Sequence, residues 1–359
     1  MSRSLAKRPK TGRPHAPWSL MAIAASTACY GASPSVKGSV SAPVHSAAPP
    51  SSVRAPGVAQ SAGPAHALVA MGPGFPASGP WVAFYGTAAQ MGDLERVAQT
   101  FRIIDIDVDP AADGVGNFTD EQIRVLKNDG QNRVLSYLNL GSCERFRTYW
   151  SRAPEGLVSC GANREAWLGA YEGYPDEVWM NPANPAYQRL ILEHVAPRLA
   201  ARGIDGFYLD NLEVVEHSDP SESGWCSSEC RQGGLDLVRR LRERFPDHLF
   251  VMQNAAGDVT RLGATGGAPF PTLLDGIAHE EVYSPAPDAT AERQLLLWQS
   301  MHVTTKGGRP LFIGVEDYVG SCERADAARA AYDKSRAHGF SPYVSDASSK
   351  QRVVCFWPF

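Results

Sequence analysis

The stretch Gly203-Ile204-Asp205-Gly206-Phe207-Tyr208-Leu209-Asp210-Asn211 decides the fold. Turn-forming residues lead into a short apolar and aromatic run, which then closes on two polar residues. Several other runs along the chain end in the same way, and stretches with helical patterning separate them. This alternation predicts parallel strands joined by helical crossovers, with polar side chains collected at the carboxyl ends of the strands.

Eight runs qualify as strands, and eight parallel strands with helices between them close a TIM barrel. They are Trp81–Gly86, Arg102–Asp107, Val134–Asn139, Val178–Asn181, Gly206–Asn211, Phe250–Asn254, Gly276–Tyr283 and Leu311–Tyr318. A ninth run, Ser341–Val344, could replace the weakest of these, Val178–Asn181. The predicted fold class is α/β, a single (β/α)8 barrel.

Helix start signals support the alternation. Thr119 with Gln122 forms a capping-box pattern, and Asn184 precedes a proline at the first helical position. Pro197 should kink or shorten the helix that begins at Pro185.

The amino-terminal part is predicted to stay outside this barrel. Five basic residues precede the short apolar run Trp18–Ala28, so residues 1–29 are predicted to be a signal peptide. Cys29 follows small residues and could be a lipidation site, although the usual leucine three places earlier is missing. Residues 30–79 are rich in Ala, Ser, Pro and Gly and predict a disordered linker, which leaves residues 80–359 for the barrel domain.

The cysteines indicate export to an oxidising compartment. Without Cys29, six remain, and an even number is typical of disulfide-bonded proteins. Fifteen pairings are possible. Joining neighbours in the sequence is the simplest of them and predicts three bonds, Cys143–Cys160, Cys226–Cys230 and Cys322–Cys355.

The charge balance excludes some partners. Residues 1–92 contain seven Lys or Arg and no acid, so the whole-chain charge of -4 corresponds to -11 over residues 93–359. Such an acidic domain is a poor nucleic-acid binder and suits a neutral or cationic substrate. The sequence has no GxSxG elbow, no phosphate-binding glycine loop and no HExxH pair, so no cofactor is predicted. A divalent cation held by the acids remains an alternative.

Polar residues close six of the strand candidates, where the active site of a TIM barrel is formed. Two carboxylates suffice to cleave a glycosidic bond, one as acid and one as nucleophile or base. Asp210 and Glu280 end strands two apart and could face each other across a cleft. The other candidate substrate contacts are Asp105, Tyr137, Asn139, Glu144, Asn211, Glu213, Gln253, Asn254, His279, Glu281, Tyr283, Asp317 and Tyr318.

Four blocks of the sequence resemble the endo-α-1,4-polygalactosaminidases of glycoside hydrolase family 114. They are Tyr137–Glu144, Gly203–Asn211, Met252–Asn254 and His279–Tyr283, and the similarity covers about residues 80–345. The sequence departs from the family pattern at Glu213, where an aspartate is common, and at His279, where an asparagine is often found.

The resemblance implies a retaining reaction on an α-1,4-linked galactosamine polymer, with Asp210 as nucleophile and Glu280 as acid/base. Glu281 is an adjacent competitor, but alternation along a strand points only one of the two into the barrel mouth. Two alternatives stay open at this point. One is a surface lipoprotein that binds a glycan without cleaving it, and the other is a different hydrolase or lyase on the same scaffold.

Overall fold

A computed structural model describes residues 78–109, 117–346 and 351–359. The predicted signal peptide and nearly all of the predicted linker lie outside these residues and stay predictions.

The described residues contain thirteen strands. They are β1 (Trp81–Phe84), β2 (Ile103–Ile106), β3 (Arg133–Asn139), β4 (Ser142–Glu144), β5 (Trp167–Ala170), β6 (Glu177–Met180), β7 (Gly206–Asp210), β8 (Leu249–Gln253), β9 (Ala264–Thr265), β10 (Ala268–Pro269), β11 (Gly276–Glu280), β12 (Phe312–Tyr318) and β13 (Ser341–Ser345). Together with the helices they form a mixed α/β fold around one eight-stranded parallel sheet, in which the strand order is β1-β2-β3-β7-β8-β11-β12-β13.

The sheet curls into a nearly closed barrel, which confirms the predicted fold class. Its first and last strands meet at their amino ends. There the Gly79 backbone N–H donates to Ser341 Oγ over 3.2 Å, and Trp81 Nε1 donates to the Ser341 carbonyl over 2.7 Å. The barrel is therefore held together at the seam by hydrogen bonds at its base.

One predicted barrel strand was wrong. The run predicted as Val178–Asn181 is β6, which pairs antiparallel with β4 and β5 in a separate three-stranded sheet. Its place in the barrel is taken by β13, the ninth run of the prediction. The reason lies in the connections, because parallel neighbours need a crossover of a dozen or more residues, usually a helix. Between β3 and β6 the helical structure of the described chain is limited to a four-residue helix and a 3-10 turn, whereas the long helical crossover follows β6.

Helices cover the outside of the barrel. Within the described residues they are α1 (Ala88–Met91), α2 (Leu94–Thr100), α3 (Asp120–Lys127), α4 (Thr148–Ser151), α5 (Pro185–Leu190), α6 (Ala196–Ala200), α7 (Ser228–Arg244), α8 (Asp258–Leu262), α9 (Ala289–Ser300) and α10 (Ala325–Ala337). Not one of them combines the length and the apolar character that crossing a bilayer would require.

The predicted helix starts are confirmed. Thr119 and Gln122 form a reciprocal capping box at α3, and Asn184 caps α5 ahead of Pro185. The chain accommodates Pro197 by widening into a π-helical segment, Ile191–Val195, between α5 and α6.

Aromatic rings fill the lower part of the barrel interior. The Trp81 ring lies 6.3 Å from the ring of Tyr208, 5.9 Å from that of Phe312 and 6.1 Å from that of Tyr343, and all four side chains are fully buried. This packed base leaves the carboxyl ends of the strands as the place where polar side chains can meet.

All six cysteines of the described residues are paired as predicted. The bonds are Cys143–Cys160, Cys226–Cys230 and Cys322–Cys355. The third bond fastens the last nine residues of the chain to the segment that follows β12.

Candidate active site

Three successive barrel strands end in the same backbone conformation. Directly after β7, β8 and β11, the residues Asn211, Asn254 and Glu281 adopt positive φ angles of 60°, 60° and 54°. Asparagine tolerates this left-handed region well, because its short polar side chain can hydrogen-bond locally. The turns end each strand abruptly, and the last strand residues Asp210 and Glu280 point into the barrel mouth.

Asp210 is held by two donors. The Tyr137 hydroxyl and the Asn211 backbone N–H both hydrogen-bond to its carboxylate. The same hydroxyl accepts a hydrogen bond from Asn139 Nδ2 over 3.2 Å, which leaves its own proton for Asp210. The side chain is therefore fixed in orientation before any substrate arrives.

The two carboxyl groups influence each other electrostatically. Burial first, then the negative charge of Glu280, raises the pKa of Asp210 to about 7, against the lowering effect of the Asn211 N–H and the Tyr137 hydroxyl. Near neutral pH, Asp210 therefore carries a proton for part of the time, beside the Glu280 carboxyl group.

Three side chains hydrogen-bond to the Glu280 carboxylate. Asn254 Nδ2 donates to its Oε2 over 2.9 Å, and the Glu280 backbone N–H donates back to Asn254 Oδ1 over 3.0 Å. The Tyr318 hydroxyl donates to its Oε1, and Gln351 Nε2 donates to the same oxygen over 3.1 Å. Contacts from the end of β8, from β12 and from the carboxyl-terminal tail thus converge on this one side chain of β11.

A layer of buried polar groups lies among the strands around this pair. Tyr85 donates to Asp105 Oδ2 over 2.6 Å, and burial, followed by the charges of Glu316 and Asp105, raises the pKa of the Tyr208 hydroxyl. Burial and the charge of Glu280 raise the pKa of Glu316 well above its usual value. Asp105 Oδ1, the Tyr208 hydroxyl, Gln253 Oε1 and Glu316 Oε1 are buried with no hydrogen-bond partner among the described residues.

Glu213 extends the acidic surroundings of Asp210. It lies in the 3-10 turn Leu212–Glu216, and its Oε2 is buried without a hydrogen-bond partner in the described part of the chain. Burial, with the charges of Asp210 and Glu280, raises its pKa well above the usual value.

The three-stranded sheet contributes one wall of the mouth. Glu177 Oε1 accepts hydrogen bonds from Ser142 Oγ over 2.8 Å and from Asn139 Nδ2 over 3.2 Å. Asn211 Nδ2 donates to Ser142 Oγ over 2.9 Å, and the Tyr171 hydroxyl donates to Asn211 Oδ1 over 3.2 Å. Burial first, then the charge of Glu144, raises the pKa of Glu177 to about 8.

Glu144 itself is tied into a buried ion-pair network. Arg147 binds its carboxylate with two hydrogen bonds of 3.0 Å and reaches Asp107 Oδ2 over 2.8 Å. Asp109 lies 3.6 Å from the same guanidinium. This arrangement satisfies Glu144 within the protein, so its predicted role as a substrate contact becomes a supporting one.

Several predicted site residues lie away from the catalytic pair. His279 neighbours Glu280 on β11 and therefore faces the opposite side of the strand; its Nδ1 hydrogen-bonds to the Glu280 carbonyl, and burial lowers its pKa. The Glu281 backbone N–H donates to the Glu316 carbonyl. Asp317 Oδ1 accepts the backbone N–H groups of Tyr283 and Ser284.

Tyr283 also lies outside the mouth, because its ring stacks against His338, next to α10, at 6.5 Å. The structure thus brings Asp105, Tyr137, Asn139, Asn211, Glu213, Gln253, Asn254 and Tyr318 to the barrel interior and mouth around Asp210 and Glu280. It does not bring His279, Tyr283 or Asp317 there.

Sequence reasoning missed five contributors: Ser142, Tyr171, Glu177, Glu316 and Gln351. Glu316 precedes Asp317 near the end of the predicted strand Leu311–Tyr318, and alternation along β12 makes Glu316 the inward member of the two. Glu177 and Tyr171 belong to the small antiparallel sheet, which the barrel assignment concealed. Gln351 follows the last strand in a segment without a pattern, so no sequence signal pointed to it.

Comparison with known families gives a match over nearly the whole described part. The family model "Glycoside-hydrolase family GH114" matches residues 76–357. Two curated relatives are uncharacterised proteins. One, from Deinococcus radiodurans, is 24% identical over 229 residues, with 62% of this chain and 66% of that protein covered. The other, from Thermotoga maritima, is 25% identical over 269 residues, with 70% and 76% covered.

Solved structures share the barrel. The glycoside hydrolase domain of PelA from Pseudomonas aeruginosa is 17% identical with a TM-score of 0.54, and the match covers 77% of this chain and 98% of that one. The Aspergillus fumigatus Ega3 complex with galactosamine is 14% identical with a TM-score of 0.53, covering 78% and 94%. At these identities the likeness concerns the fold.

Proposed function

The chain belongs to glycoside hydrolase family 114, and from that premise we propose that it cleaves an α-1,4-linked, galactosamine-containing polysaccharide at internal bonds, with retention of anomeric configuration. Asp210 is the nucleophile and Glu280 the acid/base. The assignment rests on one observation. The two inward-facing carboxyl groups lie at the carboxyl ends of β7 and β11, which are two strands apart in the barrel, and the charge of Glu280 raises the pKa of Asp210.

The protonation of the pair supports this chemistry. A retaining reaction begins with one carboxyl protonated and one ionised. Burial and the charge of Glu280 raise the pKa of Asp210 to about 7, so near neutral pH a proton is available next to the two carboxyl groups. Substrate binding then has to leave this proton on Glu280, next to the leaving oxygen.

The proposed reaction has two steps. First, Glu280 gives its proton to the glycosidic oxygen while an Asp210 oxygen attacks the anomeric carbon, so the carbon–oxygen bond to the leaving chain breaks and a glycosyl ester forms. Second, Glu280 takes a proton from water, the resulting hydroxide attacks the same carbon, and the ester bond to Asp210 breaks. The proton taken from water leaves Glu280 protonated again, and the product keeps its anomeric configuration.

The charge of the site supports an amino-sugar substrate. Asp210, Glu213, Glu177 and Glu280 lie close enough for their charges to act on one another. The ammonium group of a deacetylated sugar would offset this concentration of acids. That Ega3 was solved with galactosamine supports the same substrate class.

The three disulfides support action outside the cytoplasm, because such bonds persist in oxidising compartments. Secretion through residues 1–29, with or without a lipid anchor at Cys29, is part of this proposal. Polysaccharide is the proposed partner, and no nucleic acid is expected at so acidic a domain.

The first test is the substrate. Residues 78–359 should be incubated with de-N-acetylated and fully acetylated α-1,4-galactosamine polymers, with chitosan as the matched β-linked control, and the products sized. We expect a series of short oligomers from the partly or fully deacetylated α-linked polymer. Release of single sugars only would contradict internal cleavage, and failure on all galactosamine polymers would overturn the substrate assignment.

The second test separates catalysis from binding. Asp210→Asn and Glu280→Gln should each lower kcat by about a thousandfold or more while glycan binding and the melting temperature stay close to wild type. Gln232→Ala on the exposed side of α7 serves as the control. Near wild-type turnover in both variants would favour the non-catalytic glycan-binding alternative.

The roles within the pair are tested by azide rescue. Azide should restore turnover of Glu280→Ala through the glycosyl ester and give a product of retained configuration, whereas rescue of Asp210→Ala should give the inverted azide. The reverse outcome would exchange the two assignments.

A further inference from the structure

The carboxyl-terminal tail, residues 351–359, reaches the barrel mouth with a single polar side chain. Gln351 is buried and adopts a positive φ of 39°, and its carbonyl accepts the Tyr85 backbone N–H over 2.6 Å at the carboxyl end of β1. The tail therefore bonds to a barrel strand, and the left-handed conformation of Gln351 belongs to that docking.

Inside the mouth, the Gln351 amide contacts three groups. Its Nε2 lies 3.1 Å from Glu280 Oε1, 3.0 Å from Glu316 Oε2 and 3.0 Å from the Tyr318 hydroxyl. An amide nitrogen carries two hydrogens and no charge. The Gln351 amide can therefore donate to Glu280 and to Glu316 at the same time. It keeps the two carboxyl groups apart without adding a charge to the site.

The remaining contacts of Glu280 explain why this donor matters. Asn254 donates to Oε2, whereas Oε1 accepts hydrogen bonds from Tyr318 and Gln351. Glu316, the neighbouring buried acid, reaches the barrel interior on β12. Gln351 Nε2 contacts both acids and so bridges Glu280 Oε1 and Glu316 Oε2.

A disulfide and two hydrogen bonds fasten the tail close to Gln351. Cys355 is bonded to Cys322, and its backbone N–H donates to the Tyr343 hydroxyl over 3.4 Å. Trp357 Nε1 donates to the Val344 carbonyl over 2.8 Å. Both acceptors lie on β13, so the last barrel strand and the disulfide hold the segment that carries Gln351.

We propose that Gln351 is a positioning residue for Glu280, delivered from the carboxyl-terminal tail to fix the proposed acid/base carboxyl and to keep it apart from Glu316. The inference rests on the proposed function for the role of Glu280. Gln351 is proposed to act only through the Glu280 carboxyl group that it holds, without contacting the substrate.

The test is Gln351→Met, a change of similar size that removes the donor, with the exposed tail residue Arg352→Ala as the matched control. We expect kcat to fall about 10-fold or more with KM nearly unchanged, as for the loss of a hydrogen bond to a charged group. The alkaline limb of the pH profile should move to higher pH, because the variant no longer offers this donor to the ionised carboxylate. A purely structural role would leave the profile in place.

A crystal structure of Gln351→Met gives a readout that does not depend on turnover. We expect the Glu280 carboxyl to leave its wild-type position while Asn254 and the backbone of β11 stay in place. An unmoved Glu280 together with an unchanged pH profile would overturn the inference. If the wild-type protein cleaves none of the polymers, the proposed function fails, and the position of Glu280 in the two crystal structures still decides the role of Gln351.

Discussion

The Tyr137 hydroxyl links two parts of the candidate site. It accepts a hydrogen bond from Asn139, whose amide also reaches Ser142 Oγ over 2.7 Å, and it donates to Asp210. A single oxygen atom on β3 thus connects the wall formed by the small antiparallel sheet to the proposed nucleophile. Substituting Tyr137 therefore changes the hydrogen bonding of Asp210 without removing the Asp210 carboxyl group.

We predict that Tyr137→Phe lowers kcat/KM about 10-fold, since a hydrogen bond to a charged group is lost. Burial raises the pKa of Asp210 to about 7, and the Tyr137 hydroxyl lowers it. Asp210 has to be ionised to attack, so wild-type activity should fall as the pH falls through about 7. Removing the hydroxyl should move this acid limb to higher pH.

A pH–rate series for the wild type and Tyr137→Phe checks this, with Tyr332→Phe on α10 as a control. An acid limb near pH 4 in the wild type, or identical limbs in both proteins, would contradict the account of Asp210.

At the scale of elements, the meeting of β3 with β7 depends on one glycine. Gly141 follows β3, and a Cβ placed there would lie 1.7 Å from the carbonyl oxygen of Asn211. That carbonyl belongs to the turn that ends β7 directly after Asp210. The backbone has to shift if any side chain is added at position 141.

We therefore predict that Gly141→Ala destabilises the protein by about 2 kcal/mol or more and lowers turnover in the remaining folded fraction. Gly307→Ala is the matched control, because only the Thr305 hydroxyl lies within contact of its added Cβ, at 3.7 Å. Denaturant unfolding and activity per folded molecule are the measurements. Equal stability of the two variants would show that the strand ends tolerate displacement.

Some strands of the barrel could be predicted from the sequence and others could not. Strands such as Gly206–Asp210 were predictable because an apolar run bounded by a turn and by polar residues has few other structures open to it. β6 was misplaced because a four-residue run is the same pattern in a parallel barrel and in a small antiparallel sheet. Gln351 and Glu177 were unpredictable for a related reason: their positions depend on contacts between distant segments, which local patterns do not encode.

At the scale of the whole molecule, the covalent links differ in what they constrain. Cys322–Cys355 encloses a separation of 33 residues that includes α10 and β13, whereas Cys226–Cys230 encloses a separation of four. Loop-closure entropy grows with the length enclosed, so the longer bond should stabilise the fold more, by about 2 kcal/mol.

We predict that Cys322→Ser/Cys355→Ser lowers the melting temperature more than Cys226→Ser/Cys230→Ser does. The first double variant should also lose turnover as Gln351→Met does, because its tail is no longer fastened. Calorimetry and kcat of the two variants check this. If Cys322→Ser/Cys355→Ser has a lower melting temperature but an unchanged kcat, the disulfide is not needed to hold Gln351 in the barrel mouth.

The density of buried acids predicts how stability varies with pH. Burial raises the pKa of Asp210 to about 7, of Glu177 to about 8 and of Asp317 to about 6. Because these pKa values exceed those of the unfolded chain, the native state binds more protons between about pH 4 and pH 8. Stability from these groups is therefore fully present at low pH and is lost as the pH rises through the folded pKa values.

We expect the free energy of unfolding to increase from pH 8 to pH 5, by about 1.4 kcal/mol per pH unit for each extra proton bound. Urea unfolding across this range measures the slope, and Asp210→Asn should flatten it. A stability that rises with pH between 5 and 8 would show that the acids are ionised without penalty in the folded state.

The seam at the base of the barrel has a practical consequence. Gly79 and Trp81 bond to Ser341 at the amino ends of β1 and β13, whereas Asp210 and Glu280 close the opposite ends of their strands. A bead, chip or affinity tag coupled through the chain ahead of Gly79 would thus attach on the face away from the mouth. An immobilised reagent coupled in this orientation should keep its cleft open to long polymers, whereas coupling through Phe359 would load the tail that carries Gln351.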